Sequence, residues 1–197
     1  DKWRMEKLQR TLSGHIIVAG AGITGGEAVD ELIARGTDPG RIVVVDCVAE
    51  ALERPETLGC LVLPADATRD KVLQEVRIAE ATALIVSAGR DDTSILIALT
   101  ARHLAPALPI SVVVKNEDNE LLARQAGATT VINPVSFAGL LLASSTGGAH
   151  LSDYLADLAS STGKVKLEER PARAAEIGRP LREIEGGLGV RLYRGGV

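Results

Sequence analysis

Residues 15–36 read HIIVAGAGITGGEAVDELIARG. A short β-branched run enters a cluster of glycines, an amphipathic stretch follows, and a further glycine closes it. Ala28, Val29, Leu32 and Ile33 share one face at helical spacing, and Gly36 supplies the stop. The unit is a strand, a tight turn and a helix. The turn, Gly20-Ala21-Gly22-Ile23-Thr24-Gly25, has the form G-x-G-x-x-G. Each glycine of that form has its own duty: Gly20 allows the tight turn, Gly22 lets the backbone approach a pyrophosphate, and Gly25 lets helix and strand pack closely. The helix N-terminus offers an anion free N–H groups and a favourable dipole.

Further along, RIVVVD (residues 41–46) is a second strand ending on a lone acid, Asp46. A carboxylate there accepts hydrogen bonds from ribose hydroxyls and repels a 2′-phosphate, which favours NAD over NADP. The competing reading is an empty strand–helix turn, with Asp46 capping the helix of VAEALERPE. Asp46 and the glycine loop together favour the ligand.

The same alternation continues. Strands are expected at 15–20, 41–46, 60–65, 83–88, 109–115 and 129–134, all short and almost continuously apolar, as strands buried on both faces are. Helices separate them, with Asp91 or Asp92 expected to cap the one through TSILIALTARHLA, and RDKVLQEVRIAE forming another. This is an α/β fold: a doubly wound, parallel, six-stranded sheet with expected order 3-2-1-4-5-6. Its ligand crevice lies where the order reverses, at the carboxyl ends of strands one and four.

That crevice gathers further candidates. PADAT puts Asp66 and Ala67 at the end of strand three, on the adenine side; Asp66 and Thr68 equally suit a helix start. Ser87, Ala88 and Gly89 end strand four, where small residues leave room for a ligand. Lys115 ends strand five and is within reach of phosphates, or pairs with Glu117 or Glu120. Cys47 stands beside Asp46 and is read as a buried, inert thiol.

Other chemistry finds little support. His15, His103 and His150 fall in no catalytic arrangement, with structural roles expected for the first two, and Tyr154 is followed four residues on by Leu158, not Lys. No serine sits in G-x-S-x-G, and the two cysteines, Cys47 and Cys60, have no metal-ligand spacing. The net charge of −4 gives no footprint for nucleic acid. No apolar run approaches the roughly 20 residues that span a bilayer. The first residue is Asp1, so the chain is read as cut from something longer.

After Pro134 the pattern changes. Helices are expected at 135–145 and 149–160, a hinge at 161–163, and strands at 164–169 and 188–194.

GHIIVAGAGITGGEAVDEL, VVVD, ADAT, ALIVSAGRDDTSILIALTARHLAP and NELLARQAGATTVINP, in this order, resemble the RCK (regulator of K⁺ conductance) family, also called Trk/KTN domains. The resemblance implies a Rossmann-like N-terminal domain at 14–134, crossover or dimerisation helices at 135–163 and part of a small α+β C-terminal subdomain at 164–197. Residues 1–13, DKWRMEKLQRTLS, look like the linker descending from a pore-lining helix. It further implies a non-enzymatic gating domain on the cytoplasmic face of the membrane, dimeric and assembled with copies of itself into a tetramer or octameric ring, serving a potassium channel pore domain. The implied ligand is NAD(H) or ADP, AMP or ATP, held by Gly20 to Gly25, Asp46, Cys47, Asp66, Ala67, Ser87, Ala88, Gly89 and Lys115. The alternatives are a regulatory subunit of a potassium uptake transporter, a fragment of an NAD-dependent oxidoreductase, or a purely structural module. Two departures bear on the ligand. Ser87 and Lys115 stand where calcium-gated members carry acids, so no metal is expected. Ile23 and Thr24 stand where many nucleotide-binding members carry Arg.

Overall fold

The β-branched runs form six strands in the computed structural model, which describes residues 12–148, 150–160, 162–165, 167, 169–184 and 191. They are β1 (Ile16–Ala19), β2 (Ile42–Asp46), β3 (Leu61–Pro64), β4 (Ala83–Val86), β5 (Ile110–Val113) and β6 (Thr130–Ile132). All pairings are parallel, in the order β3-β2-β1-β4-β5-β6. Ile16 faces Ile42 on one side and Ala83 on the other, so β1 is central and the order reverses beside it.

Period-two alternation splits the core. Ile17, Ala19, Val43 and Val45 face one layer; Val18, Ile42 and Val44 face the other. The second layer is covered by Val29 of α1 (Ile23–Ala34) and by Leu52, in the 3₁₀ turn that leads into α2 (Glu53–Thr57). The first is covered by Leu73 of α3 (Asp70–Glu75), Ile97, Ala98 and Ala101 of α4 (Asp91–Leu104), and Ala123 of α5 (Asp118–Gln125). With so few aromatics, fully buried Ile, Leu and Val side chains carry this core. Two further helices follow, α6 (Pro134–Ser145) and α7 (His150–Ala159). Asn133 caps α6 by accepting from the N–H groups of Val135 and Ser136.

Several expectations are corrected. Neither Asp91 nor Asp92 is the N-cap of α4: Arg90 is, and its side chain makes no capping bond but donates to Asp92, whose Oδ1 also accepts from the Thr93 N–H. The segment 69–80 is not one helix, because Arg77 takes a left-handed conformation (φ 52°) that splits α3 from a 3₁₀ turn at Ile78–Glu80. No strand forms at 164–169 among the described residues. The Asp157 carboxylate accepts from the N–H groups of Lys164 (2.8 Å) and Val165 (3.1 Å), turning the chain back on α7. The strand expected at 188–194 lies, apart from Arg191, outside the described residues.

His15, just ahead of β1, is fully buried. Its Nε2 lies 2.8 Å from the Val76 carbonyl, so Nε2 carries the proton and donates. Its Nδ1 has no hydrogen-bond partner among the described residues, so the expected structural role is only half satisfied.

Candidate functional site: the glycine loop and the strand ends beside it

The three loop glycines meet very different surroundings. Gly20 is buried with φ +100°, and a Cβ there would collide with the Ser87 carbonyl. Gly25 is buried, and a Cβ there would collide with the Gly20 carbonyl. These two are required by the packing of β1, α1 and the end of β4 against one another. Gly22 is different. It is exposed, its φ of −64° and ψ of −169° suit any residue, and a Cβ would meet nothing within 4 Å. Nothing among the described residues accounts for its missing side chain.

Gly22 is also the N-cap of α1, yet no side chain caps the helix and its first turn holds no acid. The N–H groups of that turn have no partner within the helix, and they bring the positive end of its dipole with them. Ile23 and Thr24 follow on the exposed side, with Ile23 89% exposed. The loop presents a helix N-terminus with no side-chain cap and no acid in its first turn.

Asp46 is tied to this loop. Its Oδ2 accepts from the Ala21 N–H at 2.7 Å and its Oδ1 from the Val48 N–H at 2.8 Å. The second bond closes a turn two residues on rather than the expected helix cap: Val48 is the N-cap of the 3₁₀ turn at Ala49–Leu52 and no side chain caps it. The first bond sets the carboxylate against the glycine loop. Each oxygen takes one donor here, leaving lone pairs for others.

Asp66 starts the turn into α3. Its Oδ1 accepts from the Thr68 hydroxyl (2.7 Å) and the Thr68 N–H (3.0 Å), and these two bonds, the hydroxyl first, hold its carboxyl below the usual range. The Ala67 side chain is buried in the core, leaving only its backbone for a ligand.

Cys47 corrects the expectation of a buried thiol: it is exposed, because β2 has left the sheet after Asp46. Its Sγ lies 3.6 Å from the Ala65 carbonyl. Partial desolvation, then the charges of Asp66 and Asp46, push the thiol above its ordinary value, so little thiolate is present. Cys60 is the buried one.

On the other side of the crevice, the Lys115 ammonium donates to the Gly89 carbonyl at 2.8 Å and pairs with neither Glu117 nor Glu120. Asp91 is the contact the sequence did not reveal. It accepts from the N–H of Lys115 (2.9 and 3.1 Å), the N–H of Asn116 (3.0 Å) and the Asn119 amide (2.8 Å).

Gly20 thus meets Ser87 and Ala21 meets Asp46, while Asp66 and Lys115 stand at the two flanks. An apolar cavity of about 310 Å³, lined by Ala79, Ala81, Leu104, Leu108 and neighbouring prolines, lies at the opposite, amino-terminal end of the strands. Among the described residues no helix is long and apolar enough to cross a membrane, and no cluster of three metal-ligating side chains is assembled.

Comparison with known proteins agrees with this architecture. Residues 16–134 match the family model of the TrkA-N domain. The chain is 26% identical over 188 residues to potassium channel protein 1 of Methanocaldococcus jannaschii, covering 92% of this chain and 54% of that one. It is 36% identical over 95 residues to a Trk system potassium uptake protein TrkA homolog of Pyrococcus abyssi, covering 48% and 40%. Among solved structures, GsuK bound to ADP superposes with a TM-score of 0.55 at 30% identity, over 62% of this chain and 32% of that one. The GsuK channel bound to NAD gives the same TM-score at 28% identity, over 62% and 22%. The chain spans about half, or less, of the length of these relatives.

Proposed function

The chain belongs to the TrkA-N domain family, and from that premise we propose that it is the ligand-sensing domain of a potassium channel, binding an adenine nucleotide at the glycine-loop crevice. The observation that carries this reading is Gly22, open where Gly20 and Gly25 are locked, on an uncapped helix end with Asp46 bonded to the adjacent residue. In this reading the pyrophosphate lies over Gly22 and the first turn of α1. Asp46 takes the ribose hydroxyls, Asp66 and Cys47 border the adenine side, and Ser87 to Gly89 with Lys115 form the far wall. ADP and NAD, each bound to GsuK, suit such a site. The channel match spans far more of the chain than the transporter match does, which favours a channel over a Trk-type transporter.

Coupling needs a second copy. α6 buries none of its side chains: Val135, Phe137, Leu140 and Leu142 are between 54% and 71% exposed. Ile132 of β6 is also 51% exposed, although parallel sheets are covered on both faces. An apolar helix beside an open strand is a surface built to be covered. In the proposed assembly, the partner's copy of α6 and α7 covers it. A ligand then acts on the pore only through its difference in affinity between two arrangements of such dimers.

Thermal unfolding in the presence of NAD, NADH, NADP, AMP, ADP and ATP tests the binding. A ligand at a hundred times its Kd stabilises the fold by about 2.7 kcal/mol. Stabilisation by ADP or NAD, with none by NADP, is the expected pattern. No stabilisation by any of them removes the reading.

A further inference from the structure

Asp91 occupies the first turn of α4, where an acid normally serves its own helix. Here its carboxylate serves another segment. Oδ1 and Oδ2 both receive the Lys115 N–H, and Oδ2 also receives the N–H of Asn116 and the side-chain amide of Asn119. Two backbone N–H groups of the β5–α5 connection and one side-chain amide from the first turn of α5 converge on one carboxylate at the start of α4. Although desolvation opposes it, hydrogen bonds from Asn119 and from the N–H groups of Asn116 and Lys115 hold that carboxyl below its usual range. It therefore stays ionised and bonded at neutral pH.

The result is felt at Lys115. Its backbone is pinned by Asp91, and its ammonium is set on the Gly89 carbonyl at 2.8 Å. Gly89 lies two residues beyond Ser87, whose carbonyl packs against Gly20 of the glycine loop. Lysine is a flexible point charge that loses rotamer freedom when fixed. Anchoring its backbone shortens the search of its ammonium. That ammonium has three donors, of which the Gly89 carbonyl takes one.

We propose that Asp91 is a positioning residue for the nucleotide site: it fixes Lys115 at the carboxyl end of β4, where the ammonium meets the phosphates of the ligand. The proposal rests on the reading of the crevice as a nucleotide site.

Calorimetric titration with ADP and with adenosine separates the two claims. Asp91→Asn places an amide donor against N–H groups and releases the Lys115 segment. It weakens ADP about tenfold, as loss of a charge-assisted contact does, and leaves adenosine unchanged. Lys115→Met keeps every bond to Asp91, since those run to its backbone, and weakens ADP by a similar factor. The double variant is no weaker than Lys115→Met alone. Equal weakening of ADP and adenosine by Asp91→Asn, or multiplied losses in the double variant, overturns the positioning role. If Asp91→Asn does not fold, Asp91→Ser is read in its place by the same criteria, and unchanged ADP affinity in Lys115→Met overturns the proposal in either case. A wild-type chain that binds neither ligand overturns the nucleotide reading, and this proposal with it.

Discussion

The Asp46 carboxylate receives the backbone N–H of Ala21 at 2.7 Å, joining the end of β2 to the middle of the glycine loop. Two motifs read separately in the sequence are one object in the fold. β1 and β2 run side by side in register, so their carboxyl ends emerge together, and the acid of one meets the glycines of the other. In the proposed site, that contact sets the ribose end of the crevice beside its phosphate end.

Replacing Gly22 with Ser separates binding from stability. Serine adopts the Gly22 backbone without strain and is a strong N-cap, so Gly22→Ser is as stable as the wild type, or gains about a few tenths of a kcal/mol. Its hydroxyl takes the N–H groups that a phosphate needs and stands where the ligand lies. Thermal unfolding without ligand is then unchanged or raised, and the shift produced by ADP disappears. A Gly22→Ser protein that still responds to ADP contradicts the placement of the phosphates.

Gly25→Ala behaves oppositely. Its Cβ meets the Gly20 carbonyl, and backbone has no flexible end to move aside. Overpacking of this kind costs about 1–3 kcal/mol or more, read as a lower midpoint of chemical denaturation with the slope unchanged. Stability equal to the wild type contradicts the close packing of α1 on β1.

His15 predicts an acid sensitivity. Burial, above all, and the nearby charges of Arg77 and Arg41 push its pKa below the ordinary 6.5, while its bond to the Val76 carbonyl and the charge of Glu80 pull the other way. The unfolded chain takes up a proton near pH 6.5 and the folded chain does so only at lower pH. The stability that neutral His15 contributes is complete above that value and is lost as pH falls towards the folded pKa. Denaturation midpoints measured between pH 7.5 and about 5 therefore decline in the wild type and decline less in His15→Gln. Parallel declines contradict this account.

The exposed face of α6 predicts self-association. Burying a leucine side chain contributes about 2 kcal/mol, so Leu140→Glu together with Leu142→Glu weakens a dimer more than a hundredfold. In sedimentation velocity the wild type runs as a dimer or larger, and the double variant as a monomer of unchanged fold. A monomeric wild type contradicts the proposed cover.

The sheet order and the crevice were legible because their signals are local and periodic. β-branched runs gave the strands, helices between them gave the parallel order, and G-x-G-x-x-G with Asp46 marked the switch point. Contacts that close over long separations were not legible. The Asp91-Asp92 doublet reads as a helix start, and nothing local says that Asp91 serves residues 115–119. Cys47 reads as a buried, inert thiol beside Asp46, but it falls one residue past the last pairing of β2 with β3, where Asp46 faces Pro64. The break at Arg77 gave no signal either, since arginine is an ordinary helix former; its left-handed turn follows directly on Val76, whose carbonyl meets the distant His15.

The central claim is that the crevice binds an adenine nucleotide through Asp46 and the glycine loop. Calorimetric titration of ADP and of NAD into the wild type and into Asp46→Ala tests it most directly. The account predicts saturable binding of at least one of them to the wild type, weakened at least tenfold in a folded Asp46→Ala chain, as loss of hydrogen bonds to a charged group requires. Wild-type protein that binds neither, or Asp46→Ala protein that binds as tightly as the wild type, contradicts it.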